Sequence, residues 1–253
     1  MQTVDSFTGF AALAQKWRAK TSDRENPWQL RWKPVCASTE IELSRWLKEK
    51  PFTGNFPRAF LADRQTHGTG QWGRLWHAPN GGVWLSAAFP LNVDTASAGL
   101  LSLAVALALA RKLEEYHVHA RIKWPNDLII GEKKLAGFLP RLIHRGKRLM
   151  FARVGLGLNV CNRVPLGGIS LKQILYPKRC QPLLWASEAL LALESAVELL
   201  KEPENVCISV ENLLWAKEIH DPHTGKILKI DGLNVDGALI LSNGAYKTFW
   251  NRW

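Results

Sequence analysis

Hydrophobic and polar positions follow helical spacing in four stretches of the 253-residue chain. A Trp-rich N-terminal stretch predicts one helix followed by an extended strap that ends near Pro34. Residues 38–50, the Ala/Leu-rich residues 95–116 and residues 182–202 predict three more helices. Thr39 and Glu42 have capping-box spacing, which predicts the start of the second of these helices.

Short apolar runs between turn residues predict strands at residues 58–63 and 83–90. Residues 134–160 predict two antiparallel strands joined around residues 145–147. Near the C-terminus, short β runs alternate with Asp-Gly and Asn-Gly turns, as in a small β module. A chain that mixes helices with β-hairpins indicates an α+β fold with a mixed, mainly antiparallel sheet. We expect a first domain over residues 1–219 and a small β domain over residues 220–253.

The amino-acid composition limits the classes of protein to which the chain can belong. With 47% hydrophobic and 22% charged residues the chain has the balance of a folded globular protein, and its net charge of +11 calls for an anionic partner. No apolar run is long enough to cross a bilayer and no signal peptide is evident, so we expect no membrane association and a cytoplasmic location. Four widely spaced cysteines argue against a zinc site or disulfides, and no base is indicated that would make Cys36 a nucleophile.

A glycine-rich loop spans residues 64–82, RQTHGTGQWGRLWHAPNGG. Gly68, Gly70 and Gly73 match G-x-G-x-x-G, but Pro79 follows too soon for the long helix that a dinucleotide fingerprint requires. A P-loop fails as well, because Arg74 and a leucine stand where lysine and a hydroxyl residue are needed. The loop remains either a solvated turn or an anion cradle to which Arg74 adds a charge-assisted bond.

A second candidate site lies in RIKWPNDLII, residues 121–130. Lys123 stands between two apolar residues at the end of a predicted strand, where it either snorkels from a core edge or meets an anion. Asn126 and Asp127 follow Pro125 and supply oxygen acceptors of the kind that a magnesium–nucleotide complex needs. Together with an anion-cradling loop, Lys123 is better explained as a ligand-binding residue.

The segments KWPNDLII, KKLAGFL, QTHGTGQWGRLW and GLGLNV together resemble the biotin protein ligases, in a form without the N-terminal DNA-binding domain. The resemblance covers residues 35–160, with a weaker echo in GLNVDGALIL. It implies a class II synthetase-like catalytic domain followed by an SH3-like β module, here shortened.

The resemblance also implies roles for individual residues. Catalysis falls to Lys123 and Arg74, and Asp127 is the candidate magnesium ligand. The other transferred positions form two groups: biotin-binding residues Ser38, Thr39, Gln65, Gly68, Thr69, Gly70, Gln71 and again Lys123; and adenylate-binding residues Gly73, Arg74, Trp76, Asn126, Asp127 and Asn159. Two departures stand out, because the family loop usually reads Gly-Arg-Gly-Arg, and an asparagine usually occupies the position of Glu40.

The implied activity is ATP-dependent formation of biotinyl-AMP, with Mg²⁺, and transfer of biotin to a lysine of the biotin carboxyl carrier protein of acetyl-CoA carboxylase. Lipoate and octanoate are rival substrates, because lipoate ligases share the fold and also use a lysine. A basic nucleic-acid-binding module is a rival from another class, but no specific DNA binding is expected, since the stretch before residue 38 is shorter than a winged helix. The sequence leaves open whether the protein forms a homodimer.

Overall fold

A computed structural model describes residues 6–20, 28–52, 56–94, 97–146, 148–221, 224–244 and 247–251. The chain divides into two compact units. The first comprises Met1–Asn92 and Lys133–Leu191, and the second comprises Val93–Glu132 and Ala192–Trp253. Two predicted positions, the helix start at residue 95 and the turn residue 147, lie outside the described residues.

The helices and strands follow one another in an order that mixes both types throughout the chain. They are α1 (Ser6–Lys20), β1 (Gln29–Cys36), α2 (Thr39–Glu49), β2 (Arg58–Gln65), β3 (Val83–Phe89), α3 (Leu101–Glu114), β4 (Arg121–Lys123), β5 (Asp127–Ile130), β6 (Lys133–Arg145), β7 (Arg148–Leu158), α4 (Pro182–Leu199), α5 (Pro203–Leu213), β8 (Glu218–His220), β9 (Ile227–Leu233), β10 (Leu239–Ser242) and β11 (Lys247–Trp250).

Within the first unit, neighbouring strands follow the order β1-β2-β3-β7-β6. Only the first of these pairs is parallel, and the other three are antiparallel. The predicted hairpin is confirmed as β6 and β7, and Gly146 in its turn has φ +61°. The predicted α+β class with a mainly antiparallel sheet is therefore confirmed.

Helix α2 covers an apolar cluster on the sheet of the first unit. Leu43 and Trp46 of α2 pack with Phe60 of β2 and Ala88 of β3, and all four are buried. The pairing of β2 with β3 brings the last two side chains to the same region of the sheet. This packing anchors the helix whose first turn carries two of the candidate site residues.

Three local predictions were wrong in detail. The N-cap of α2 is Ser38, whose side chain accepts a hydrogen bond from the backbone N–H of Glu40, so Thr39 does not form the expected capping box. The expected strap is a true strand from Gln29 onward, since β1 pairs with β2. The helix predicted to run to residue 202 ends at Leu199, and α5 begins separately at Pro203, where proline suits the first turn of a helix.

The second unit combines helices with two small groups of strands. Strands β4 and β5 form an antiparallel pair, and β8 to β11 form a four-stranded antiparallel sheet in the order β11-β10-β9-β8. Helix α3 is buried along most of its Ala/Leu-rich length and packs against α5. The small C-terminal β sheet that the turn pattern predicted is thus present. Among the helices described, none combines the length and apolar character needed to cross a membrane.

Candidate functional site

A largely buried cluster of polar side chains lies where α2, β2 and β3 meet in the first unit, and its one half-buried member is Gln65. Thr39 donates two hydrogen bonds to the side-chain oxygen of Gln65, from its backbone N–H (2.7 Å) and from its hydroxyl (3.1 Å). The Thr39 and Ser86 hydroxyls share a third bond of 2.9 Å. Thr39 is 3% exposed and Ser86 is 1% exposed. Buried hydroxyls and amides at such a position can hydrogen-bond a polar ligand group.

Ser86 is a member of this cluster that the sequence analysis missed. It lies in β3, whose other residues are all apolar and all buried. A single hydroxyl residue in the middle of an apolar strand was the available signal. The register of β2 with β3, which pairs Phe60 with Ser86, brings it beneath the start of α2.

An ion pair ties the first turn of α2 to β7. A terminal nitrogen of Arg153 lies 2.7 Å from a carboxylate oxygen of Glu40, and it donates hydrogen bonds to the Glu40 carbonyl (3.1 Å) and the Ser44 hydroxyl (2.7 Å). Both side chains are largely buried, with 12% and 14% of their surface exposed. Burial lowers the pKa of Arg153, and the Glu40 carboxylate acts in the opposite direction. Glu40, one of the two departures from the family pattern, therefore has an ion-pair partner on a strand that is distant in the sequence.

The glycine-rich loop forms a small hairpin. Thr69 and Leu75 form a β-bridge, the Gly70 N–H donates to the Arg74 carbonyl at 2.8 Å, and the Trp76 N–H donates to the Gly68 carbonyl at 2.8 Å. At its tip, Trp72 and Gly73 adopt positive φ angles of 59° and 70°.

The predicted loop residues lie along this hairpin with different exposure. Thr69, Gly73 and Arg74 are exposed, whereas Gly68 is buried and Gln71 is half-buried. The hairpin turns back at residues 71–73, so backbone groups of both arms lie close together without a helix following. This geometry agrees with the exclusion of a dinucleotide fingerprint.

The Trp76 side chain, at the end of the hairpin, packs on β7. A methyl group in place of the Gly157 hydrogen would lie 2.6 Å from the Trp76 ring, so glycine allows the ring to rest on β7. The Trp76 and Trp84 rings are 6.3 Å apart in an edge-on arrangement, and the Lys134 ammonium lies 4.9 Å from the Trp76 ring centroid. The Trp76 indole nitrogen is buried and has no hydrogen-bond partner within the described part of the chain. Aromatic surface and a cation are thus adjacent here.

Asn159, at the end of β7, is held by hydrogen bonds inside the first unit. Its side-chain nitrogen donates to the Lys134 carbonyl (3.3 Å) and its side-chain oxygen accepts from Asn162 (3.0 Å). It is 4% exposed. Its predicted contact with a nucleotide stays a prediction, and Lys134 and Asn162 are neighbours that the sequence analysis did not identify.

Lys123, Asn126 and Asp127 lie in the second unit. Lys123 is the last residue of β4 and pairs with Asp127, the first residue of β5. Ile122 beside it is fully buried, while Lys123 itself is exposed, and its ammonium lies 5.1 Å from the ring centroid of Trp215. The strand end thus presents a cation whose backbone is fixed by the sheet, as the sequence pattern predicted.

The geometry also bears on two other kinds of site, a metal site formed by side chains and a nucleophilic cysteine. Within the described ranges, no group of three or more His, Cys, Asp or Glu side chains is arranged to hold a metal ion. Burial, reinforced by Glu42 and partly offset by Lys33, raises the pKa of Cys36 to about 11. Since a nucleophilic cysteine needs its thiolate, the Cys36 thiol is unsuited to that role at neutral pH.

The sequence is similar to those of biotin and lipoate protein ligases. Residues 47–159 match the model of the biotin/lipoate A/B protein ligase family. The chain is 35% identical over 102 residues to the bifunctional ligase/repressor BirA of Bacillus subtilis (strain 168), an overlap of 40% of this chain and 31% of that protein. It is 30% identical over 112 residues to the biotin–[acetyl-CoA-carboxylase] ligase of Paracoccus denitrificans, an overlap of 43% of this chain and 47% of that one. The matches therefore span less than half of each relative's length.

The fold has a close counterpart among solved structures. The biotin protein ligase from Aquifex aeolicus in complex with biotin and ATP superposes with a TM-score of 0.66 and 24% sequence identity. The overlap covers 90% of this chain and 96% of that chain. The α+β architecture is therefore shared over nearly the whole length.

Removing Arg153 is expected to destabilise the first unit strongly. Arg153→Ala would leave the Glu40 carboxylate buried without its nearest cation, at a cost of roughly 3–5 kcal/mol in the free energy of unfolding. Urea unfolding of the variant and the unsubstituted chain measures this difference in the free energy of unfolding. The control is Arg141→Ala, because Arg141 lies 3.8 Å from the same carboxylate but is 57% exposed. An exposed pair contributes about 0–1 kcal/mol, so equal losses for the two variants would contradict the assigned burial effect.

Proposed function

We propose, from the match of residues 47–159 to the model of the biotin/lipoate A/B protein ligase family, that the chain activates biotin with ATP and transfers it to a lysine of a carrier protein. The acceptor we propose is the biotin carboxyl carrier protein of acetyl-CoA carboxylase. The relative in Paracoccus denitrificans, whose name specifies that carboxylase, supports this choice.

The observation that carries the proposal is the cluster of two buried hydroxyls, those of Thr39 and Ser86, with the half-buried amide of Gln65. Biotin ends in a cyclic urea, which offers one carbonyl acceptor and two N–H donors. Hydroxyls act as donor and acceptor, and a side-chain amide also offers both, so the cluster can match such a ring. Ser38, also buried, adds another hydroxyl at the start of the same helix.

The same cluster favours biotin over lipoate or octanoate. Lipoate ends in a dithiolane ring and octanoate in a methyl group, and neither offers a hydrogen-bonding donor. A ligand that enters this cluster replaces the mutual hydrogen bonds of these groups, and a site of this kind discriminates strongly against a ligand that then leaves them unpaired. The half-buried ring of Trp76, which packs edge-on against the buried ring of Trp84, offers apolar surface suited to a hydrocarbon chain.

In the first half-reaction a carboxylate oxygen of biotin attacks the α-phosphorus of ATP, the bond to the bridging oxygen breaks, and pyrophosphate leaves. Both reactants are anions, so positioned cations lower the barrier by neutralising charge that accumulates in the transition state. We assign this role to the Lys123 ammonium, whose strand is fixed by its pairing with β5. Arg74, exposed on the hairpin, supplies a second cation for the phosphates.

In the second half-reaction the ε-amine of the carrier lysine attacks the mixed anhydride, and AMP leaves. The hairpin of residues 68–76 would limit the access of water, which otherwise hydrolyses the anhydride. We expect Asn126 and Asp127 to contact the nucleotide. When Mg²⁺ is bound with the nucleotide, it neutralises phosphate charge, and one protein carboxylate such as Asp127 fits an ion whose other ligands are phosphate and water.

We propose that the enzyme acts in the cytoplasm. All four cysteines are unpaired thiols, and three of them are buried. Unpaired thiols are usual in the reducing cytoplasm, whereas secreted proteins more often form disulfides.

The choice of substrate is tested by the exchange of labelled pyrophosphate into ATP, measured with biotin, lipoate or octanoate as the added carboxylic acid. We expect exchange with biotin and none above background with lipoate or octanoate, followed by transfer of labelled biotin to a carrier domain. Exchange driven by lipoate alone would overturn the proposed substrate.

Lys123→Ala is expected to lower biotin-dependent exchange at least about 100-fold, since positioned charges of this kind contribute several kcal/mol to transition-state stabilisation. Thermal unfolding should be unchanged, because the side chain is exposed. Lys133→Ala is the control, since it removes another exposed lysine of the described chain and should leave exchange unchanged. Full exchange in Lys123→Ala would remove the proposed role of this residue.

Gln71→Arg is expected to slow the release of biotinyl-AMP by roughly fivefold, because a cation at the hairpin tip adds about 1 kcal/mol of attraction to the phosphate. Rapid filtration of the labelled adenylate measures the release rate. Gln15→Arg adds the same charge on an exposed position of α1 and should not change the rate. An unchanged rate in Gln71→Arg would count against adenylate binding by the hairpin.

A further inference from the structure

We propose that Trp124 and Trp215 are positioning residues for Lys123, and that the turn between β9 and β10 acts on Lys123 through Trp124. The inference rests on the proposed function and assigns a task to the small C-terminal β sheet. All the residues concerned belong to the second unit.

Trp124 links the strand end directly to the C-terminal sheet. It follows Lys123 in the chain, and its indole N–H donates a 2.9 Å hydrogen bond to the Gly237 carbonyl in the β9–β10 turn. The two residues are separated by more than a hundred positions in the sequence. The first residue of the β4–β5 connection is therefore held from outside its own hairpin.

The turn that accepts this bond is itself well fixed. Gly237 has a φ of +86°, its N–H donates to the Asn234 carbonyl (2.8 Å), and the Asn234 N–H donates to the Ala238 carbonyl (2.9 Å). The Ala238 N–H also donates to the Asp236 carboxylate at 2.9 Å. A turn with this many internal bonds can serve as a firm support for Trp124.

The same turn also packs closely against the helical part of the unit. A methyl group in place of the Gly99 hydrogen would lie 2.1 Å from the Asp236 carbonyl oxygen, so the backbones approach as closely as glycine allows. The Cys207 thiol of α5 lies 3.5 Å from the Asn234 carbonyl oxygen and donates to it. The position of the Gly237 carbonyl is thus set by packing as well as by the turn.

Trp215 holds Lys123 from a second direction. Its backbone N–H donates to the Ile122 carbonyl at 2.9 Å, which ties the chain after α5 to β4. Its ring lies 5.1 Å from the Lys123 ammonium, within the range of a cation–π contact. Backbone and ammonium are therefore both restrained by one residue.

These restraints matter because the proposed role of Lys123 depends on accurate placement of its charge. A displacement of about 1 Å at a reacting centre can reduce a rate by as much as 100-fold. Lys123 is exposed, and an exposed lysine samples many side-chain conformations unless neighbouring groups restrict it. The two tryptophans supply that restriction, one through the backbone and one at the ammonium.

The test is a double-mutant cycle read by ligand binding. The ligand is the adenylate analogue in which biotinol replaces biotin, a phosphodiester that keeps the negative charge. Calorimetry would measure its affinity for the full chain, for Trp124→Phe and Trp215→Leu, and for both variants in the Lys123→Ala background. We expect about a tenfold loss for each tryptophan variant when Lys123 is present, and less than about twofold in the Lys123→Ala background.

A matched control separates positioning from stability. Trp185→Phe also removes an indole N–H that donates to a backbone carbonyl, here that of Arg179 at 2.7 Å, far along the chain from Lys123. It should lower the melting temperature without changing analogue affinity. Trp215 is 41% exposed, so Trp215→Leu carries the test even where Trp124→Phe does not fold.

The outcomes are distinguishable. Equal losses in both backgrounds, or no loss in either, would overturn the positioning role and leave the proposed function intact. Failure of the unsubstituted chain to bind the analogue would overturn the proposed function and this inference with it.

Discussion

Buried polar groups need hydrogen-bond partners, and this constraint organises the part of the first unit where a ligand is expected. The Thr39 hydroxyl and backbone N–H both bond to Gln65, so the first turn of α2 is joined to the end of β2. Ser86 completes the cluster from β3. Leaving one such group unpaired costs about 1–3 kcal/mol, which is why the three elements cannot shift independently. A ligand that replaces these mutual bonds must offer equivalent donors and acceptors.

An element of the fold could be predicted from the sequence where its signal lies within one short segment of the chain. The β6–β7 hairpin, β3 and α3 were predicted because apolar spacing and turn residues lie within each segment. Strand β1 was missed as a strand, because it contains Pro34 and is mostly exposed or half-buried, so it lacks an apolar run. Its pairing with β2 decides its structure, and tertiary pairing of this kind has no signature in one short segment.

The residues of the candidate site also differ in whether a short sequence segment identifies them. The motifs around Gln65, the hairpin glycines and Lys123 are each contiguous, so they can be recognised in the sequence. Ser86, Arg153, Lys134 and Trp215 act through neighbours that lie far away in the sequence. The strand register brings the first three to their partners, and the backbone hydrogen bond from Trp215 to Ile122 places Trp215 beside Lys123. These contacts are therefore visible only in the folded chain.

The two departures from the family pattern illustrate why such contacts change the interpretation. Glu40 in place of an asparagine adds a negative charge beside Thr39, a residue of the expected biotin site. Arg153 lies 2.7 Å from that carboxylate, so the pair is close to neutral as a unit.

The hairpin has Thr69 and Gln71 where the family usually has arginines, which lowers its own positive charge. The Lys134 ammonium lies 4.9 Å from the ring of Trp76, which closes that hairpin, so β6 supplies a cation beside it. A cation on a strand is held more rigidly than one on a loop, since the sheet fixes its backbone. A lysine on β6, which the loop motif does not describe, therefore adds positive charge beside the hairpin.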